Sequence, residues 1–285
     1  MSAAGSLEEW GGRTEEREDT VTPTPYAALS ATLDRDAAIP LDGTALPALW
    51  HWLYFLPLYP RSTLGADGHS KQGGLLPPAP LPRRMWAGSQ LQFHHPLYVG
   101  DHLRRLSTID SIEGKSGRSG ELVFAKVRHQ LYANGSTDCA LTEIQNVVYR
   151  RAASGSDVPP APQPAPLSST WERKWTPDEV LLFRYSALTF NNHRIHYDRP
   201  YATGVEGYPG LVVHGPLIAT LLLDLLRRAL PDAQVTRFEF RAVRPLHDLH
   251  DFHVCGDPGA DGKRVHLWAR DHEGWLAMNA TAETR

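Results

Sequence analysis

Gly215-Pro216-Leu217-Ile218-Ala219-Thr220-Leu221-Leu222-Leu223-Asp224-Leu225-Leu226-Arg227-Arg228-Ala229-Leu230-Pro231 is the stretch on which the fold turns. Pro216 suits the first turn of a helix and Pro231 ends one, which bounds a helix at about 215–230. Leu217, Ile218, Leu221, Leu222, Leu225 and Leu226 recur at helical spacing, and Leu223 widens the apolar surface. A helix apolar nearly all round is buried nearly all round. Strand-like runs follow at 234–243, 250–255, 263–270 and 275–281, punctuated by Asp257-Pro258-Gly259 and Glu273-Gly274. One buried helix followed by an antiparallel meander implies a sheet wrapped around a helix, an α+β arrangement.

Working back from that helix, Thr176-Pro177-Asp178-Glu179 has the makings of a helix start. Thr176 is placed to cap, Pro177 suits the first helical position, and Glu179 sits where a capping-box acid belongs. A helix of about ten residues then leads into Asn191-Asn192-His193-Arg194-Ile195-His196-Tyr197-Asp198, a polar loop with two histidines. After a spacer comes His214-Gly215-Pro216. Such an order can set an imidazole beside the positive end of a helix, so that a bound carbonyl meets a base and an oxyanion donor together. Pro216 has no N–H, so Gly215 is the candidate donor, and glycine lets a carbonyl approach without a Cβ in the way. The plainer reading of Gly215-Pro216 is a good helix start, and of His196 a satisfied interior histidine.

The first half shows the same order with more noise. Helices near 25–33 and 46–55 precede strands at 85–96, 102–113, 121–133 and 137–150. A Gly- and Pro-rich loop covers 57–82, and loops of that length are uncommon unless functional or disordered. Residues 152–169 hold Pro159, Pro160, Pro162, Pro164 and Pro166 among Ala and Ser, the composition of a semi-extended linker. Ser30-Ala31-Thr32-Leu33-Asp34 parallels Ser186-Ala187-Leu188-Thr189-Phe190-Asn191. Pro47-Ala48-Leu49-Trp50 parallels Pro209-Gly210-Leu211-Val212, and Pro96-Leu97 parallels Pro245-Leu246. Their common order suggests duplication of one unit.

Composition narrows the classes. A length of 285 residues suits two domains, and a 41% hydrophobic fraction supports real cores. A net charge of −3 argues against a nucleic-acid partner. Cys139 and Cys255 are the only cysteines, too few for a disulfide framework or a four-cysteine metal site. The acidic N-terminus lacks a signal-peptide core, and the apolar run 217–223 is too short to span a bilayer. The expectation is a cytoplasmic protein with no membrane partner. No Walker A, Gly-x-Gly-x-x-Gly or Gly-x-Ser-x-Gly motif is present, so hydride transfer and covalent acyl transfer lack support.

The loop 191–198 with His214-Gly215 after it resembles the MaoC-like hydratase and dehydratase family of hot-dog folds. Trp50-His51-Trp52-Leu53-Tyr54-Phe55-Leu56-Pro57, Gly73-Gly74-Leu75-Leu76-Pro77-Pro78 and Pro82-Arg83-Arg84-Met85-Trp86-Ala87-Gly88 are similar to the subgroup of mesaconyl-C4-CoA and itaconyl-CoA hydratases. Mitochondrial-type 3-hydroxyacyl-thioester dehydratases share the C-terminal motif. The resemblance implies a double hot-dog, two tandem units each with an antiparallel sheet around a central helix. Residues 1–152 would form a non-catalytic unit that shapes the acyl pocket, 153–169 the linker, and 170–285 the catalytic unit.

The family pattern is Asp-x-Asn-Pro-x-His, and here Asn191 takes the aspartate position, His193 the asparagine position and His196 the histidine position. An amide takes up no proton at neutral pH. The resemblance therefore implies His196 as base, Asn191 as a water-orienting group, and either His196 itself or His193 as proton donor to the neighbouring carbon. Asp198 matches a family aspartate that either orients a ring or caps the loop, and Glu206 is a reserve acid. Coenzyme A and a substrate carboxylate need cations, for which Arg194, Arg84, Arg83, Arg241, Arg244 and the pair Arg227-Arg228 are candidates; paired arginines are also common on solvated faces. Trp52, with Trp50, Tyr54 and Phe55, lines the acyl pocket or fills a core. His193, His196 and His214 could be read as metal ligands, but no His-Glu-x-x-His and no nearby cysteine supports that, and the reading needs no metal or other cofactor.

The expected activity is reversible hydration of a C5 branched dicarboxylyl-CoA, mesaconyl-C4-CoA or itaconyl-CoA, to citramalyl-CoA, as itaconate degradation requires. A fatty 3-hydroxyacyl-thioester dehydratase is the alternative within the class, and a non-catalytic acyl-CoA binder the alternative outside it. Hot-dog units often associate through sheet edges, so a homodimer is expected.

Overall fold

The computed structural model describes residues 7–36, 38–71, 73–77, 81, 83–117, 120–151 and 161–285. Residues 152–160 of the linker, with Pro159 and Pro160, and Pro78 and Pro82 of the N-terminal motifs lie outside them. Ten strands form one antiparallel sheet: β1 (Thr14–Thr20), β2 (Arg83–Phe93), β3 (His102–Gly117), β4 (Gly120–Ala133), β5 (Leu141–Arg150), β6 (Trp171–Trp175), β7 (Val235–Ala242), β8 (Phe252–Pro258), β9 (Arg264–Arg270) and β10 (Leu276–Thr284). Their order is β1-β3-β4-β5-β2-β7-β10-β9-β8-β6. Read outward from the centre, each half repeats the same sequence of pairings. The two halves meet where β2 pairs with β7, Gly88 opposite Arg241 through Gln92 opposite Arg237. The edge-to-edge contact that two separate hot-dog units would make is thus met inside one chain.

Four helices accompany the sheet: α1 (Pro23–Thr32), α2 (Glu179–Thr189), α3 (Arg199–Gly204) and α4 (Gly215–Ala229). α4 is buried from Leu217 to Leu226, including Asp224. Its leucines share one core with Leu91, Leu103 and Leu131 of the first half and Phe238, Phe240, Val254 and Leu267 of the second. Asp224 is tolerated there because Arg35, Arg173 and Arg228 surround it. Arg35 comes from the first half, so the pair fastens the two halves together.

Several expectations need correction. The aromatic helix at 46–55 is a single 3₁₀ turn, Trp50–Leu53, entered through Leu49 in the left-handed region at φ 71°. Left-handed residues on either side, Leu49 and Phe55, stop the turn from extending into a longer helix. α2 is capped by Asp178, whose carboxylate accepts the Leu181 N–H at 2.8 Å, and not by Thr176, which donates to Asp251. The short charged strands β1 and β6 escaped notice because Thr14–Thr20 and Trp171–Trp175 are edge strands with only one buried residue between them. The parallel between Pro47-Ala48 and Pro209-Gly210 is out of register. Leu46 N–H donates to Leu97 O as Val213 N–H donates to Leu246 O, so Pro47-Ala48 matches His214-Gly215.

Candidate active site

α2 ends at Phe190, left-handed at φ 49°, which swings the chain into the Asn/His loop. Asn191 Oδ1 accepts the N–H of His193 at 3.0 Å, so its side-chain carbonyl holds the loop's shape. Residues Arg194–His196 make one 3₁₀ turn. Val212 then fixes the imidazole from both sides of its peptide: its N–H donates to Ile195 O at 2.9 Å, and its carbonyl lies 2.7 Å from His196 Nδ1. A carbonyl only accepts, so Nδ1 carries the hydrogen and Nε2 keeps a lone pair. The tautomer of His196 is set by the backbone.

His214, the residue before α4, stacks on His196 with ring centroids 3.7 Å apart. Its Nε2 lies 2.8 Å from Ser186 Oγ, while its buried Nδ1 has no partner. Gly215 is half-buried, and a Cβ placed there would meet nothing within 4 Å. The opening turn of α4 therefore has open space in front of it, and the N–H of its first residue has no intrahelical carbonyl to bond. His196, 8% exposed, is tied to this turn through the stacked ring of His214, the residue before Gly215.

Burial holds these rings neutral. It lowers His196 to about 4, opposed by the Val212 carbonyl and helped by His69. It lowers His193 to about 2, with His69 and His196 adding to the effect, and it pushes His214 far down. Neutral imidazoles with a free lone pair can accept protons, which is what activating water requires.

The cations divide sharply. Arg194 is taken up by Asp198 at 2.9 and 2.7 Å, by Ala66 O at 2.9 Å and by the Tyr201 ring. Asp198 also accepts the Tyr201 N–H and caps α3, so it serves the loop and does not orient His196. Arg83 and Glu206 are tied to each other, and Arg83 lies over Tyr208. Arg228 holds Asp224 and Leu33 O, and Arg227 covers Trp50. Arg241 alternates outward from the buried Phe238 and Phe240, on the face away from the core, and Arg244 lies 3.7 Å from Asp271. Arg84 is exposed on β2, near enough for its charge to help keep His193 neutral. Trp52 packs edge-on to Trp86 and Phe240, and donates from Nε1 to Glu143 at 3.1 Å.

Two residues outside the sequence reading join the site. The long loop after Pro57 folds back on the Asn/His loop and sets Asp67 and His69 against it, with His69 centred 4.3 Å from His193. Gly65-Ala66-Asp67-Gly68-His69 was the available signal, an acid and a histidine framed by glycines. Asp67, His69 and His193 offer ligand atoms within 4.8 Å of one another; His196 and His214 are not in that group. Two surface hollows, about 390 Å³ between α1 and α2 and about 410 Å³ beside β6 and α4, lie away from the histidines.

With this geometry in place, relatives can be compared. A family model, Hydroxyacyl-thioester dehydratase type 2, matches residues 49–248. The mesaconyl-C(4)-CoA hydratase of Chloroflexus aurantiacus is 46% identical over 274 residues, 96% of each chain. A MaoC-like dehydratase from Phytophthora capsici superimposes with a TM-score of 0.67 at 13% identity, over 99% of this chain and 98% of that one. A Mycobacterium tuberculosis protein with a double hot-dog fold gives 0.54 at 15% identity, over 96% of both. The structural likenesses establish the double hot-dog architecture.

Proposed function

The chain belongs to the hydroxyacyl-thioester dehydratase type 2 family and is an enzyme of the acyl-CoA hydratase and dehydratase class; on that premise we propose that it hydrates mesaconyl-C4-CoA to citramalyl-CoA. The observation that carries the reaction type is His196, its Nδ1–H spent on Val212 O and its Nε2 free, beside the uncrowded opening of α4. Water positioned there gives a proton to Nε2 while its oxygen bonds to the β-carbon. The double-bond electrons move to the thioester oxygen, which the Gly215 N–H receives; one such donor contributes about 2.7–4 kcal/mol in well-studied oxyanion holes. Asn191 acts by holding the loop, since its carbonyl oxygen is bonded to His193 N–H. Arg84 is the cation offered to a substrate carboxylate or a CoA phosphate. The first unit shapes the acyl pocket through Trp52 and Trp86 and leaves the base to the second.

The substrate choice rests on the 46% identity to a mesaconyl-C(4)-CoA hydratase. Dehydration of a fatty 3-hydroxyacyl thioester is the second reading, favoured by the family match and by the apolar Trp52–Trp86–Phe240 cluster. Incubation with mesaconyl-C4-CoA, itaconyl-CoA and crotonyl-CoA, followed by loss of the substrate double bond, separates them. Fastest turnover of mesaconyl-C4-CoA is expected. Preference for crotonyl-CoA would move the assignment to fatty substrates, and tight binding of all three without turnover would leave an acyl-CoA binder.

A further inference from the structure

Hydration moves two protons: one leaves water, and one arrives at the α-carbon. Position 191, where an acid would stand, holds an amide, and burial keeps His193 unprotonated. The structure supplies an acid–base pair from another part of the chain. Leu64 and Ser70 bridge the ends of a tight turn in which Gly65 N–H donates to His69 O at 2.7 Å and Gly68 N–H to Gly65 O at 3.1 Å. Inside that turn Asp67 Oδ1 accepts the His69 backbone N–H at 3.0 Å, and Oδ2 lies 2.9 Å from His69 Nδ1. The hydrogen bond from His69 lowers Asp67 to about 2, against the effect of burial, so it is a carboxylate and accepts. Nδ1 is then the donor, and Nε2 is left free to exchange a proton while the carboxylate compensates the charge.

The docking of this turn on the catalytic loop is built in. Arg194 donates from its backbone N–H to Asp67 O at 3.0 Å and from Nη1 to Ala66 O at 2.9 Å. Gly68 has φ +94°, and a Cβ there would fall 1.9 Å from Asn192 O, so only glycine allows the two backbones to approach. The result is a row of imidazoles, His69 at 4.3 Å from His193 and His193 at 5.5 Å from His196. Unlike His196 and His214, His69 and Asp67 are about one-third exposed, 34% and 33%. A substrate or solvent molecule can reach them.

We propose that the Asp67–His69 dyad is the second acid–base element of the site, delivering the proton to the α-carbon in hydration and removing it in the reverse direction. This rests on the hydratase reading. Water oxygen bonds to the β-carbon, its proton passes to His196 Nε2, and the π electrons form the enolate oxygen. On collapse that electron pair forms a C–H bond at the α-carbon with the Nε2 proton of protonated His69, leaving it neutral. His196 then releases its proton to solvent and His69 regains one, so both residues return to their starting states.

The full chain, its His69→Ala and Asp67→Asn variants, and Gly68→Ala as a control for loop docking are assayed on mesaconyl-C4-CoA, with and without added imidazole. His69→Ala is expected to lower kcat by about 10²- to 10⁴-fold with KM little changed. Added imidazole should restore part of that rate, because free imidazole can enter the partly exposed vacancy. Asp67→Asn should give a smaller loss without rescue. An undiminished His69→Ala rate overturns the dyad, and so does a loss that imidazole leaves untouched and Gly68→Ala reproduces. Activity removed by EDTA and restored by zinc would assign Asp67, His69 and His193 to a metal and overturn it as well; EDTA is expected to have no effect. A wild-type protein silent on all three thioesters fails the hydratase reading itself, whereas an active wild type with an unimpaired His69→Ala fails the dyad alone.

Discussion

The two halves of the molecule share a frame and differ in what the frame holds. α1 and α2 each pass into a left-handed residue, Asp34 at φ 52° and Phe190 at φ 49°. The next N–H bonds back five residues in both, Arg35 to Ser30 O at 2.9 Å and Asn191 to Ser186 O at 2.8 Å. Leu46 and Val213 are fastened to Leu97 and Leu246 alike. Between those fixed points the second half inserts the His193–His196 loop and α3, then opens a long helix at Gly215. The first half runs from Arg35 to Leu46 without histidine, presents Ala48 where Gly215 stands, and closes with one 3₁₀ turn. The first half's polar interior serves a different end. Glu143, 2% exposed, accepts from Trp52 and Ser89, approaches Gln145, and pairs with His51 at 3.3 Å. Burial alone would raise Glu143, but His51, His129 and Trp52 overcome it and hold the carboxyl at about 2. One half thus stabilises a buried charge, and the other exposes a lone pair. The first half's long loop, for its part, lays His69 against His193 of the second.

The sharpest way to break this division is to delete one histidine from each half. His196→Ala should lower kcat by about 10²- to 10⁴-fold, with a stability cost of about 1 kcal/mol for the lost Val212 bond. His51→Ala should do the opposite. Leaving the buried Glu143 carboxylate short of one hydrogen-bond partner costs about 1–3 kcal/mol, seen as a lower urea midpoint, with kcat per folded molecule preserved. If His51→Ala abolished turnover in a protein that remained folded, the buried Glu143 cluster would have to be counted among the catalytic parts.

Acid should next act on both halves in the same sense. His193, His196 and His214 are kept neutral in the second half, and burial lowers His129 to about 4 in the first. Each folded value lies below the value of about 6.5 for an unfolded histidine, so the unfolded chain binds protons that the folded one excludes. Their contribution is intact above pH about 6.5 and is lost as pH falls toward about 4, by up to about 1.4 kcal/mol per pH unit for each ring. Glu143 follows the other convention, with stability present above about 4.5 and lost as pH falls through about 2. Urea midpoints measured from pH 7.5 to 4 should therefore decline steeply. His129→Gln and His214→Gln should each remove one proton from the slope. A midpoint unchanged between pH 7 and 5 would contradict neutral burial.

The second half was the more legible in sequence because its signals are local. Leu217 to Leu226 at helical spacing bounded α4 nearly to the residue, and the Asn191–Asp198 motif marked the loop that brings His196 against His214. What escaped depends on contacts distant in the chain. Asp67 and His69 acquire meaning only once Gly68 lets their turn lie on Asn192. Arg83 looked like a free cation because Glu206, which occupies it, lies far along the chain; Arg194 is the exception, since its partner Asp198 stands only four residues on. The shortening of the first half's helix was hidden for a related reason. Trp50, Leu53, Tyr54 and Phe55 are as apolar as a buried helix would be, and only the left-handed Leu49 and Phe55 stop it.

The smallest test concerns the helix starts that lead into the two turns. Asp178 caps α2 with a 2.8 Å bond to Leu181 N–H, whereas Thr22, the matching residue of α1, makes no side-chain cap. Asp178→Ala should cost about 1 kcal/mol, and Thr22→Ala a few tenths at most. Both helices start with a proline or an acid that favours the first turn, so neither change should unfold its helix. Because α2 leads through Phe190 into the Asn/His loop, a frayed first turn would bear on His196 if α2 alone held the loop. The loop, however, is held from its far end by Val212, Asp198 and the Asp67 carbonyl, none of which belongs to α2. Asp178→Ala should therefore lower the urea midpoint while leaving kcat within about twofold, since surface changes away from the site act on stability first. A fall in rate larger than the fall in stability explains would mean that the loop takes its position from α2 after all.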